Sequence, residues 1–163
     1  MSSLGHESTV PSGIDFETLN DPTASGDDTR YGRSKLANIL FGKALARRLA
    51  QEKVFVNITH PGCVETEASL HGLVPKEGES IVERLQRNLE GFVSRFFDYS
   101  ARAAALTPLY LGTSPEIEEK DIRGRYFIPI ANEIQPSLHA RNEDLQEKLW
   151  TFSESLAKEK TLN

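Results

Sequence analysis

Two hydrophobic periods alternate along the chain. In "RYGRSKLANILFGKALARRL" (30–49), Leu36, Ile39, Leu40, Phe41, Ala44 and Leu45 recur at helical spacing and cover several sides of a helix running from about 29 to 51. "KVFVNITH" (53–60) is β-branched and aromatic and reads as a strand. In "SIVERLQRNLEGFVSRFF" (80–97), Ile81, Leu85, Leu89 and Phe92 or Phe96 return to the helical period. "SARAAALTPLYLGTS" (100–114) is an Ala-rich helix that Pro108 should kink or leave with a gap in its ladder. "GRYFIPI" (124–130) is a short strand closed by Pro129. "NEDLQEKLWTFSESLAKEK" (142–160) is a final amphipathic helix with Leu145, Leu149, Trp150, Phe152 and Leu156 inward. Between these lie polar stretches. Residues 4–30 are rich in Ser, Thr, Gly, Asp and Pro and read as a long loop, with Asp27, Asp28 or Thr29 available as N-cap of the first helix.

Strands alternating with helices predict an α/β class with parallel pairing. The 163 residues, without internal repeat or composition break, fit a single domain, 1–163. Only two strands are evident, and a parallel sheet needs further neighbours and cover on both faces. The first helix, apolar on several sides, looks made to pack between a sheet and something else. The chain is therefore expected to expose apolar surface and to self-associate or aggregate.

Composition narrows the function classes. Charged residues make up 26 % and hydrophobic ones 38 %, ordinary values for a globular chain. A net charge of −5 provides no basic field for nucleic acid or anionic lipid. No apolar run approaches the roughly 20 residues of a membrane span. "MSSLGHESTV" does not read as a signal peptide, and "KEKTLN" matches no lipidation or retention signal. The single cysteine, Cys63, excludes an intrachain disulfide or a CxxC metal site. The cytosol is the expected location, and no metal site is expected.

The chemistry concentrates near the start of the first helix. Tyr31 and Lys35 are four residues apart, so they project about 40° from one another. They lead a stripe continued by the small or apolar Gly42, Leu45, Ala46 and Leu49. A phenol and an ammonium are unexpected at the head of an inward stripe. Taken alone the pair is an ordinary helix start with a solvated lysine, since YxxxK arises readily by chance.

Three stretches together carry more: "SSLGH" (2–6), "YGRSK" (31–35) and "HPGCVETE" (60–67). In that order, with a strand before the HPG, they resemble the C-terminal half of the short-chain dehydrogenase/reductase family. "SKLANILF", "TPLYLGTSPE", "GRYFIP" and "LWTFSESL" are similar to the branch containing retinol dehydrogenases and their fungal relatives. The resemblance covers Ser2 to about Lys158. It implies part of a Rossmann-type, doubly wound parallel sheet, with two of its strands and their flanking helices here. It also implies roles. Tyr31 would be the general acid/base that exchanges a proton with the substrate oxygen. A phenol is a poor base at neutral pH, and the Lys35 ammonium would favour the phenolate. Lys35 would also hold the nicotinamide ribose. Ser3 would polarise the substrate carbonyl or alcohol; it stands 28 positions before Tyr31, a spacing longer than the commonest in the family. The turn at Pro61, Gly62, Val64 and Thr66 would meet the nicotinamide carboxamide through backbone at Val64 and the Thr66 hydroxyl.

The departures matter equally. Nothing matches the family's TGxxxGxG phosphate loop, its NNAG-type strand end, or the residue that selects NAD or NADP. The asparagine of the catalytic tetrad has no counterpart. The resemblance thus implies the nicotinamide-side half of an NAD or NADP site, without a cradle for pyrophosphate and adenosine. Other residues have plainer readings. His60 is a strand-end histidine rather than a metal ligand. His6, His71 and His139 are surface loop residues, Cys63 is a small turn residue, and Glu65 and Glu67 are solvated. Phe92, Phe96 and Phe97 form core or line a lipophilic pocket, and Trp150 anchors the last helix. Two function classes follow. One is an NAD(P)-dependent oxidoreductase interconverting a small lipophilic alcohol and its carbonyl, in truncated form. The other is an inactive remnant or pseudoenzyme that associates with itself or with a full-length relative.

Overall fold

Helix α1 (Asp27–Arg48) carries most of the buried apolar side chains of its neighbourhood, among them Leu36, Ile39, Leu40 and Ala44. The computed structural model describes residues 1–19, 21, 23–64, 80 and 99–161. The expected helix at 80–97 and most of the loop after Val64 lie outside the described residues. Gly26 occupies the N-cap of α1 without a side-chain bond, while Asp27 and Asp28 sit in the first turn and Arg47 and Arg48 in the last. Both charge placements complement the helix dipole. The cap is therefore one residue earlier than the aspartates expected there.

The sheet has three short strands, β1 (Ile58–Thr59), β2 (Tyr126–Ile128) and β3 (Asn132–Ile134), in that spatial order. β1 and β2 are parallel, with Ile58 opposite Tyr126, and β2 and β3 are antiparallel. The parallel pair is the one the sequence predicts. β3 is an addition: Asn132 and Glu133 are exposed and polar, so the segment carries too little alternation to be read as a strand. The ladder of β1 is shorter than 53–60 for an identifiable reason. Asn57 puts its amide where strand neighbours would stand, donating to the Ile122 carbonyl at 2.7 Å and accepting from the Arg125 N–H at 3.1 Å. The Arg123 guanidinium takes the carbonyls of Leu49 and Val54 at 3.0 and 2.7 Å.

Successive residues of β2 point to opposite faces and divide the core. Tyr126 joins Leu36, Ile39, Leu40 and Ile58 under α1, whereas Phe127 joins Ile117 and Ile122 on the other face, with Phe55, Tyr110 and Leu111 against them. Those last residues bring α2 (Ala101–Thr113) and α3 (Glu116–Glu119) over that side. Helices thus cover both faces, the α/β arrangement expected of part of a doubly wound sheet. α2 runs on through Pro108. Its Leu106 and Leu109 are exposed. Gly42 lets α1 approach β1: a Cβ there would meet Ile58 Cγ1 at 2.8 Å.

Two further helices, α4 (Leu138–Arg141) and α5 (Glu143–Thr161), close the outer side of α1. Leu149 enters the core, Phe41 stacks on Trp150 with ring centroids 5.2 Å apart, and the Arg48 guanidinium lies 4.0 Å from the Trp150 ring centroid. Trp150 therefore anchors the last helix, as expected. Arg47 and Arg48 bind Glu147 at 2.8 and 2.5 Å. Among the described residues no helix is long and apolar enough to cross a membrane.

The Arg48 and Arg47 hydrogen bonds hold the Glu147 carboxyl at about 2, below its ordinary value of 4.5. A depressed folded-state value contributes stability above the unfolded value and loses it as pH falls toward the folded one. Glu147→Gln should therefore flatten the fall in urea midpoint between about pH 4.5 and 2. The effect should be modest and salt-sensitive, because the pair is half-exposed. An unchanged slope would place the acid sensitivity elsewhere.

Candidate active site

Tyr31 and Lys35 lie on the first turns of α1. The Lys35 Nζ stands 5.2 Å from the centroid of the Tyr31 ring, so the two side chains do share one side of the helix. Tyr31 is 52 % exposed and open to a ligand. The chain's first residues come to it as a tight 3-10 turn, Leu4–Glu7. Ser3 caps that turn from an extended conformation, and its Oγ accepts the Gly5 N–H at 3.1 Å. That bond uses an acceptor lone pair and leaves the hydroxyl proton to donate.

Ser3 and Tyr31 meet around Gly5. A Cβ built on Gly5 would lie 3.0 Å from Tyr31 Cε1 and 3.4 Å from Ser3 Oγ, so hydroxyl and ring border the same spot. The approach depends on Gly32, the residue after Tyr31. A Cβ there would run into the carbonyl oxygen of Ser8 and would come within 2.6 Å of that of Gly5. Both obstacles are backbone, so only a residue without a side chain lets the turn sit this low on α1. Ser2 pins the other edge. It is buried, its Oγ donates to the Lys35 carbonyl at 2.8 Å, and its N–H donates to the Thr59 carbonyl at 2.7 Å. One residue thus ties the Lys35 turn of α1 to the end of β1.

The chain leaves β1 through His60 and the turn Pro61, Gly62, Cys63, Val64. Gly62 has φ +86°, and a Cβ on it would strike the Tyr99 ring at 2.6 Å, so glycine is required twice over. The Tyr99 N–H donates to the Cys63 carbonyl at 2.6 Å, and Val64 bridges Tyr99 in parallel fashion. Cys63 is exposed, in keeping with its reading as a turn residue. Thr66 lies outside the described residues, as do Glu65, Glu67, His71 and the phenylalanines at 92, 96 and 97.

His60 is buried, donates its N–H to Phe127 at 2.8 Å, and leaves Nδ1 without a partner. Burial, with nearby His6 adding, pushes its imidazole below the ordinary value. Tyr126 beside it is buried and pushed up to about 12, first by burial and then by the Glu7 charge. The Ser2 hydroxyl is near its phenol without making a hydrogen bond of normal geometry.

Two histidines depart from the surface reading. His6 is 1 % exposed, held between the turn and the C-terminal segment. His139 is half-buried, its ring against Gly13. Sequence reasoning also missed Ser2, Gly5 and Gly32. The small residues flanking Ser3 and Tyr31 were the available signal, since glycine beside a reactive side chain often marks a close approach of two backbones. Among the described residues no cluster of three or more His, Cys, Asp or Glu could hold a metal.

Known proteins resemble the whole stretch. The chain is 39 % identical over 142 residues to mouse retinol dehydrogenase 14, covering 86 % of this chain and 39 % of that protein. It is 33 % identical over 155 residues to the short-chain dehydrogenase TIC 32 A, chloroplastic, of Brassica napus, covering 94 % of this chain and 44 % of the relative. The short-chain dehydrogenase/reductase drtF of Aspergillus calidoustus is 30 % identical over 169 residues, covering 99 % of this chain and 50 % of its own. The chain therefore spans between two fifths and half the length of these relatives. No family model and no solved structure matches.

Gly32→Ala tests the geometry. The added methyl meets carbonyl oxygens that cannot rotate away, so the turn must lift. We expect a loss of about 1–3 kcal/mol, typical of overpacking, in urea unfolding. Faster amide exchange at Ser2, His6 and Ser8 should accompany it. An unaltered midpoint with unaltered exchange would remove Gly32 from this role.

Proposed function

We propose, from its likeness to short-chain dehydrogenases/reductases, that the chain is a member of that family and forms the substrate and nicotinamide side of an NAD(P)-dependent oxidoreductase. The reaction is interconversion of an alcohol and a carbonyl on a small lipophilic substrate. The observation that carries this reading is the convergence of Ser3 and Tyr31 on Gly5, with the Lys35 ammonium over the Tyr31 ring.

Each group then has a task suited to its chemistry. Tyr31 exchanges a proton with the substrate oxygen at its hydroxyl. Lys35 stabilises negative charge on that oxygen and offers three donors to neighbouring hydroxyl groups. Ser3, with one lone pair occupied by the Gly5 N–H and its proton free to donate, donates toward the substrate oxygen and polarises it. The donor set suits a nicotinamide riboside: a lysine for the ribose hydroxyls, and the turn at Pro61, Gly62 and Val64, with Thr66 beyond it, for the carboxamide. A bound nicotinamide supplies the hydride chemistry. The sequence has no TGxxxGxG loop, so helix-terminus capture of the pyrophosphate is a task for residues other than these.

Tyr31→Phe keeps the ring and deletes the proton carrier. The reading is tested by replacing the matching segment of mouse retinol dehydrogenase 14 with this chain. In that chimaera Tyr31→Phe should lower kcat by at least about 10²–10⁴-fold, the usual share of a general acid/base. Cofactor binding should be largely retained. Full activity of the variant would remove Tyr31 from its role.

Calorimetric titration of the 163-residue chain alone with NAD(H) and NADP(H) addresses the cofactor. No saturable binding is expected, because the phosphates find no glycine-rich loop. Tight one-to-one binding would show that this loop is dispensable.

A further inference from the structure

His6 is a titratable side chain only 1 % exposed, and none of the roles above uses it. Its two ring nitrogens have different partners. Nδ1 lies 2.7 Å from the Ser3 carbonyl oxygen, which can only accept, so Nδ1 carries the proton and donates. Nε2 lies 3.1 Å from the Ser137 backbone nitrogen, whose N–H can only donate, so Nε2 is bare and accepts. The two contacts fix one neutral tautomer, because an imidazolium or the opposite tautomer would set donor against donor at Ser137. The Ser3 carbonyl also accepts the His6 backbone N–H at 3.1 Å, so the residue bonds Ser3 twice. The ring packs edge-on to Tyr126 with centroids 5.5 Å apart, which holds it in this orientation.

We propose that His6 is a positioning residue for the candidate active site, a clamp that holds Ser3 against Tyr31 by joining the N-terminal turn to the segment entering α4. The physical need is clear. The turn is four residues long and meets α1 at glycines, Gly5 against the Tyr31 ring and Gly32 against the Ser8 and Gly5 carbonyls. Ser2 fixes the turn at one end, to Lys35 and Thr59. His6 fixes the other, 131 positions along the chain, at Ser137. Ser3 sits between the two pins, so its hydroxyl takes its place beside the Tyr31 ring from both. His6 itself touches no reacting atom in this scheme.

The proposal rests on the oxidoreductase reading for its consequence, and on its own geometry for its existence, so the test separates them. Nitrogen-15 spectra of the His6 ring in the 163-residue chain at neutral pH, in solution or by magic-angle spinning, report the tautomer directly. The expected result is a protonated Nδ1 and an unprotonated Nε2; a protonated Nε2 overturns the clamp. His6→Phe keeps the edge contact with Tyr126 and removes both polar links. It should raise exchange of the backbone amides at position 6 and at Ser8 on the order of tenfold or more, while Ile39 and Leu40 in α1 keep their protection. His6→Asn retains a donor near Ser3 and should recover part of the loss. Unchanged exchange in His6→Phe overturns the proposal. In the active chimaera, His6→Phe should lower kcat with little change in the KM for cofactor, and an unchanged kcat denies His6 any part in catalysis. A chimaera inactive with His6 intact would sink the oxidoreductase reading, leaving the tautomer and exchange results to judge the clamp.

Discussion

Close approach at two glycines of α1 is the constraint on which the rest depends. At Gly42 the helix comes down on Ile58 and sets the distance between helix and sheet. At Gly32 it receives the N-terminal turn. Ten residues separate the two, about 2.8 helical turns, so they face about 80° apart around one rod and meet two different neighbours. A side chain at Gly32 would meet backbone that cannot rotate away, and one at Gly42 would displace the Ile58 side chain, in an interior with little slack to absorb either. The helix can therefore serve both as the cover of the sheet and as the floor of the candidate site.

Glycine permits contact but does not hold it. Holding falls to a few polar groups placed at the edges. Ser2 bonds α1 and β1 together, His6 bonds the turn to the chain before α4, and Asn57 and Arg123 satisfy carbonyls where the sheet gives out. Each lies where backbone groups would otherwise lose water without a partner, which is the costly situation. The outer helix α5 is held differently, by Trp150 between Phe41 and Arg48 and by a carboxylate between two guanidiniums. The first group of contacts is made of short hydrogen bonds to single backbone groups and specifies position. The second is broad and half-exposed and supplies adhesion.

The candidate chemistry inherits that division. Tyr31 and Lys35 are exposed enough to meet a ligand because α1 has spent its apolar faces further along, from Leu36 onward. Ser3 reaches them only through a turn pinned at both ends. His60 and Tyr126 are buried, one with a ring nitrogen and the other with a phenol unpaired. Their burial disfavours the charged form of each.

Local spacing determined much of this in advance. The helical period of 30–49 and 142–160, the two parallel strand segments, and the shared face of Tyr31 and Lys35 all follow from how far apart residues lie on a regular backbone. The YxxxK pair, the serine pair and the HPG turn were legible for the same reason. Tertiary structure alone decided the remainder. Nothing in the spacing said that Ser3 would cross 28 positions to border the Tyr31 ring, that His6 would leave the surface to bond Ser137, or that polar Asn132–Ile134 would add a strand. Nor did it say that Asn57 would cut the first strand short. Those outcomes depend on which backbones can touch and which buried polar groups then find partners, and both are properties of the packed chain rather than of any one segment of it.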